Sequence, residues 1–150
     1  MIKQTIESDL KSAMLAGDRL VVDVLRTFKS VILDQEVKLG KREAGLSDEE
    51  VTVLLQKEVK KRVDAAELYK NAGDEERTKN ELAEVEILKK YMPEMMSEEE
   101  ITGLVKEVIA TTSEPSMQKM GQIIGAVKAQ TGTKADGAII ARIVKEELSR

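Results

Sequence analysis

Apolar residues recur along this chain at the three- and four-residue spacing of a helix face, and no segment alternates with the period of two that a half-buried strand needs. The pattern predicts seven helices. The first runs from Ile2 to Ala16, with Ile2, Ile6, Leu10, Ala13 and Met14 on one side, and Gly17 supplies a C-cap that tolerates left-handed backbone. Asp18 caps a second helix to Leu39, whose stripe holds Val24, Leu25, Phe28 and Ile32. Ser47-x-x-Glu50 is a capping box that opens a third, continuing through Val51, Leu54, Leu55, Val59 and Ala66 to Gly73. The fourth covers Asp74 to Met92, with Leu82, Val85, Leu88 and Met92 inward. Pro93 stops it, because proline disfavours a helical residue before it.

Pro93-Glu94-Met95-Met96 marks the domain boundary. Ser97-x-x-Glu100 is a second capping box, opening a helix with Ile101, Leu104, Val105 and Val108 that ends at Ser113-Glu114-Pro115. Ser116 starts the next, with Met117, Met120, Ile124 and Val127 inward, and Asp136 caps the last, with Ile139, Ile140, Ile143, Val144 and Leu148. The expected fold is all-α: a bundle of about four helices over residues 1–93, joined to a three-helix domain over residues 97–150.

Composition narrows the chemistry. The chain has 150 residues, 41% hydrophobic and 35% charged, with a net charge of −4. That apolar content supports a core, but no run approaches the roughly 20 residues of a membrane span. No signal peptide is read at the N-terminus, and the lack of cysteine fits a reducing compartment, so a cytoplasmic protein with no membrane partner is expected. The absence of histidine and cysteine removes the usual general base, the thiolate nucleophile and Cys/His zinc sites. With 2% aromatic residues, a base-stacking platform for single strands is not expected. The acidic balance gives no reason to expect DNA as a partner. Glu75-Glu76 and Glu98-Glu99-Glu100 fall in first turns, where acids complement the helix dipole, so neither is read as a metal site. No cofactor or catalytic residue is assigned.

Four constellations remain. Glu58 and Arg62 fall inside the apolar stripe of the third helix, and Glu81 on that of the fourth. Charges there must be paired, either as a structural ion pair or as a carboxylate–arginine binding site. Lys57, Lys60 and Lys61 form an exposed basic cluster, read as a solvated face or a phosphate contact. Gly121, Gly125 and Ala129 share one side of a helix. Mid-helix glycine costs about 1 kcal/mol against alanine, so either a neighbouring helix packs closely on it or the surface is kept flat for an outside partner. Lys134, Arg142 and Lys145 lie at the start and on the polar face of the last helix, where N-terminal amides attract phosphate, with Lys128 as a further candidate.

The run Lys57-Glu58-Val59-Lys60-Lys61-Arg62-Val63-Asp64-Ala65-Ala66-Glu67 resembles the YqeY family, as do Ala72-Gly73, Glu81 through Leu88 and Tyr91-Met92-Pro93. So does Ser116-Met117-x-x-Met120-Gly121-x-x-x-Gly125, followed by Ala135-Asp136-Gly137 and Val144-Lys145. The resemblance covers the whole chain in order. It implies that the C-terminal unit is similar to the tRNA-contacting tail of the GatB subunit of glutamine-dependent aminoacyl-tRNA amidotransferases. The expected role is therefore a non-catalytic, tRNA-associated accessory protein, with tRNA or an aminoacyl-tRNA-handling protein as partner. The alternative is a module that docks on a synthetase or amidotransferase without touching RNA. The association also implies carbon–nitrogen ligase activity with glutamine as amide donor, but the chain lacks a nucleotide loop and the serine-rich amidase signature. Two departures stand out. Asp74 replaces a frequent arginine after Ala-Gly, and Thr133-Lys134 replaces a frequent Gly-Arg before Ala-Asp-Gly.

Overall fold

The computed structural model describes all of residues 1–150, and it is helical from end to end with no strand. The helices are α1 (Ile2–Ala16), α2 (Arg19–Lys38), α3 (Asp48–Asn71), α4 (Glu75–Lys89), α5 (Glu98–Thr111), α6 (Met120–Thr131) and α7 (Gly137–Leu148). Single 3₁₀ turns occupy Met117–Lys119 and Gly132–Lys134. Both capping boxes form: the Ser47 and Ser97 hydroxyls accept from the amides of Glu50 and Glu100, whose carboxylates reach back to the cap amides. Each box satisfies two otherwise orphaned donors and fixes where α3 and α5 begin. Gly17 ends α1 at φ 72°, a left-handed turn that side-chain-bearing residues avoid.

The chain divides into two compact units, Met1–Met92 and Pro93–Arg150. In the first, α3 and α4 form an antiparallel hairpin, and α1 and α2 pack against it. The core is Ile6, Leu10, Val24, Leu25, Phe28, Ile32, Val51, Leu54, Leu55, Ile87 and Leu88. Phe28, the only phenylalanine, is at its centre, where truncation to alanine costs about 3–5 kcal/mol. Tyr91 closes the unit by donating to Asp9 Oδ2 at 2.6 Å; burial, then the Asp9 carboxylate, hold its hydroxyl protonated above the usual phenol range.

Leu82 is a correction to the apolar pattern, because it stands 46% exposed. The α3–α4 seam at that level is closed by polar contacts, with Arg62 on Glu84 and the Thr78 hydroxyl on the Ala66 carbonyl. The apolar stripe of α4 is instead confined to Val85, Ile87 and Leu88.

In the second unit α5, α6 and α7 surround Ile101, Val105, Val108, Ile123, Val127, Ile140, Ile143 and Val144. The Met96 amide donates to the Lys134 carbonyl at 2.8 Å, tying the entry of α5 to the loop before α7. Within α6, Ile123 and not Ile124 is fully buried, and Met117 ahead of it is exposed. The 3₁₀ turn over Met117–Lys119 winds at about three residues per turn, so the helical register is set afresh at Met120. No helix is long and apolar enough to cross a membrane.

Candidate functional site

The exposed side of α6 is built from absent side chains. Gly121, Gly125 and Ala129 all face solvent, and a Cβ added at Gly121 or Gly125 would meet nothing within 4 Å. This corrects the close helix packing expected at these glycines: the buried side of α6 is Ile123, Val127 and Thr131, and the glycines lie away from it. Nothing inside the protein offsets their cost in helix stability. Lys128 follows Gly121 by seven residues, two helical turns, and so projects from the same side. Its Cε and Nζ lie 3.1 and 3.2 Å from where a Cβ of Gly137 would stand. The ammonium therefore rests on the first residue of α7, a position open only because residue 137 has no side chain. The Asp136 carboxylate caps this end by accepting from the Ala138 amide at 2.7 Å.

The structure treats the four C-terminal candidates unequally. Lys128, Lys134 and Lys145 are exposed and have no carboxylate within ion-pair distance. Lys145 falls in the last turn of α7, where a cation complements the helix dipole. Arg142 is exposed but doubly engaged: its guanidinium donates to Glu146 at 3.2 Å and to Glu98 in the first turn of α5. Its charge is already matched, and the acidic start of α5 lies beside it.

In the N-terminal unit Lys57, Lys60 and Lys61 are exposed along α3, and no acid forms an ion pair with them. Arg62 turns inward, its side chain 12% exposed. It donates through Nη1 to Glu58 at 2.6 Å and through Nε to Glu84 at 3.1 Å. Burial opposes the charged guanidinium, but the bonds to Glu58 and then Glu84 outweigh it, holding its pKa above the ordinary arginine value. Glu81 makes no ion pair and is replaced in this triad by Glu84, which the apolar-stripe argument missed. A signal existed: Arg62 and Glu84 lie equally far, eleven residues, on either side of Gly73 at the hairpin apex. Nowhere do three or more acids converge closely enough to hold a metal ion.

The profile of the Yqey-like protein family matches residues 3–148. The chain belongs to this family. It is also similar to two proteins named altered inheritance of mitochondria protein 41, mitochondrial. The one from Pyrenophora tritici-repentis is 25% identical over 146 residues, covering 94% of this chain and 77% of that protein. The one from Clavispora lusitaniae is 27% identical over 139 residues, covering 93% and 72%. Those names lend no support to the cytoplasmic expectation.

In this Yqey-like chain the C-terminal motif residues fall where the open face is. Met120 begins α6, Gly121 and Gly125 form its bare side, Asp136 caps α7, and Gly137 lies beneath Lys128.

Proposed function

We propose that this Yqey-like protein is a non-catalytic, tRNA-associated accessory protein whose C-terminal unit meets folded RNA through backbone charge and shape. The observation that carries the reading is the bare face of α6, with uncompensated glycines at 121 and 125 and Lys128 laid from that face onto the start of α7. A side-chain-free helix face lets a bulky partner approach the helix backbone. Lys128 beside that face, and Lys134 and Lys145 elsewhere on the same unit, have no carboxylate partner and suit phosphates, which are the uniform feature of an RNA surface. The resemblance to the GatB tail supports the same unit as the RNA-facing one. Lys128, Lys134 and Lys145 are the phosphate contacts, and Arg142 contributes less because Glu98 and Glu146 already hold it.

The test is filter binding of bulk tRNA at low and moderate salt. Saturable binding that weakens as salt rises is expected. Replacing Lys128, Lys134 and Lys145 together by alanine should flatten the log–log salt slope by about two units, since each lost phosphate contact removes about 0.7–0.9. Replacing Lys57, Lys60 and Lys61 should change it less. Binding that is absent, or unaffected by salt, overturns this reading in favour of docking on a synthetase or amidotransferase.

A further inference from the structure

A groove of about 500 Å³ runs between α1 and α2 in the N-terminal unit, and none of its lining residues is among those assigned to RNA above. That volume lies within the range of small-molecule sites, about 300–1,000 Å³. Its floor is apolar: Leu10 and Ile32 belong to the core, and Leu33 stands 44% exposed beside them. Its rim is ionic. Lys3, Arg26 and Lys29 supply three positive charges, and Glu7 and Glu36 two negative ones.

The partners of these charges decide what the groove can take. Glu36 is 2% exposed and bonds to Lys3 at 2.8 Å. A buried carboxylate stripped of its partner is strongly destabilising, so Lys3 is committed to it. Lys29 meets Glu7 across the groove at 3.8 Å, a loose exposed pair that contributes little and parts easily. Arg26 has no carboxylate within ion-pair distance, and its guanidinium donates only to the Met14 sulfur at 3.9 Å, a weak acceptor. The Ser30 hydroxyl is turned back onto the Arg26 carbonyl and does not compete. One positive charge is left over, on an exposed arginine that lines both this groove and the neighbouring depression beside Met14 and Asp23.

We infer that this groove binds a small organic monocarboxylate with an apolar body. The carboxylate pairs in bidentate fashion with Arg26, Lys29 swings from Glu7 to join it, and the hydrocarbon part covers Leu10, Ile32 and Leu33. A guanidinium matches a carboxylate in both charge and geometry. A dianion is disfavoured, because Glu7 and Glu36 line the same groove.

The test titrates the full-length protein with sodium octanoate and, separately, with 1-octanol, while amide resonances are followed by two-dimensional NMR. Octanoate should give saturable shifts confined to residues 3–10 and 26–36. It should bind more tightly than the alcohol. Arg26→Gln should weaken octanoate about tenfold or more, as expected for loss of a charged hydrogen-bonding partner, and leave the alcohol unchanged. Arg26 and Lys11 are exposed, so Arg26→Gln should keep the native spectrum, and Lys11→Gln, outside the groove, should bind as wild type. Scattered or unsaturable shifts, equal affinity for acid and alcohol, or unchanged octanoate binding in Arg26→Gln would each overturn the site.

Discussion

Arg62 reaches across the α3–α4 hairpin and donates from Nε to Glu84 Oε2 at 3.1 Å, while its Nη1 holds Glu58 one turn earlier on its own helix. One cation thus serves two carboxylates from two helices. Arg62→Ala should destabilise the protein by about 2–3 kcal/mol, below the full cost of breaking a buried pair because Glu84 remains partly solvated. Glu84→Gln should lose about 1 kcal/mol. Glu81→Gln should stay within about 0.5 kcal/mol, because half-buried Glu81 makes no ion pair to lose. Urea unfolding followed by circular dichroism measures all three, and a larger loss at Glu81 than at Glu84 would contradict the pairing.

The capping box at Ser47 makes stability depend on acid pH. The Lys41 ammonium, then the Ser47 amide, hold the Glu50 carboxyl below its ordinary pKa. A carboxyl with a depressed folded-state pKa contributes stability that is full above its unfolded value and is lost as pH falls through the folded one. Glu50→Gln keeps the box, since glutamine also serves at that position, but removes the charge. Wild type should therefore be the more stable at pH 7, and the gap should close as pH falls below about 4, through the carboxylate range. Urea midpoints measured from neutral to acid pH check this. A gap that widens on acidification would refute it.

The all-α class and the capped starts of α3 and α5 were legible because period, cap and breaker residues agree there. Side-chain neighbours across elements were less so. Arg62 inside an apolar stripe announced a partner, but choosing Glu84 over Glu81 requires the hairpin register, which only the position of the Gly73 turn conveys. The glycines of α6 were legible as an anomaly and not as a direction. Spacing shows that they share a side, but which side is buried is set by the 3₁₀ turn ahead of them and by the helices packed on Ile123 and Val127. Glu146, four residues on, was legible as a partner of Arg142, but Glu98 was hidden because only tertiary packing brings it beside the guanidinium.

Those glycines give a result of opposite sign to a packing role. With open space at both positions, Gly125→Ala should stabilise the protein by about 0.5–1 kcal/mol through helix propensity and reduced unfolded-state freedom, and Gly121→Ala, in the first turn of α6, by less. If the bare face meets RNA, the double variant should melt higher and yet bind tRNA more weakly. Thermal melting and filter binding on the same preparations test both halves. Destabilisation by alanine would mean that something packs on these positions. A stabilised variant with unchanged tRNA affinity would remove the face from the RNA site while leaving the stability argument intact.

Arg142 provides the sharpest separation between charge that is present and charge that is available. Its guanidinium is shared by Glu98 and Glu146, so an approaching phosphate must displace carboxylates before it gains the cation. Arg142→Ala should therefore change the salt slope of tRNA binding by well under the 0.7–0.9 units, on nucleic-acid scales, of a fully available contact, whereas Lys128→Ala should approach that value. The reciprocal experiment is stronger. Glu98→Gln with Glu146→Gln removes both competitors and two negative charges while keeping Arg142, so it should tighten tRNA binding and steepen the slope by as much as about one unit. All of these side chains lie at the surface, and the double variant should unfold within about 0.5 kcal/mol of wild type for each site changed. Filter binding over a series of salt concentrations reads the slopes directly. If the double variant binds tRNA no better than wild type, the N-terminal end of α5 does not face RNA. The contact surface must then lie on the α6 side, with Lys128.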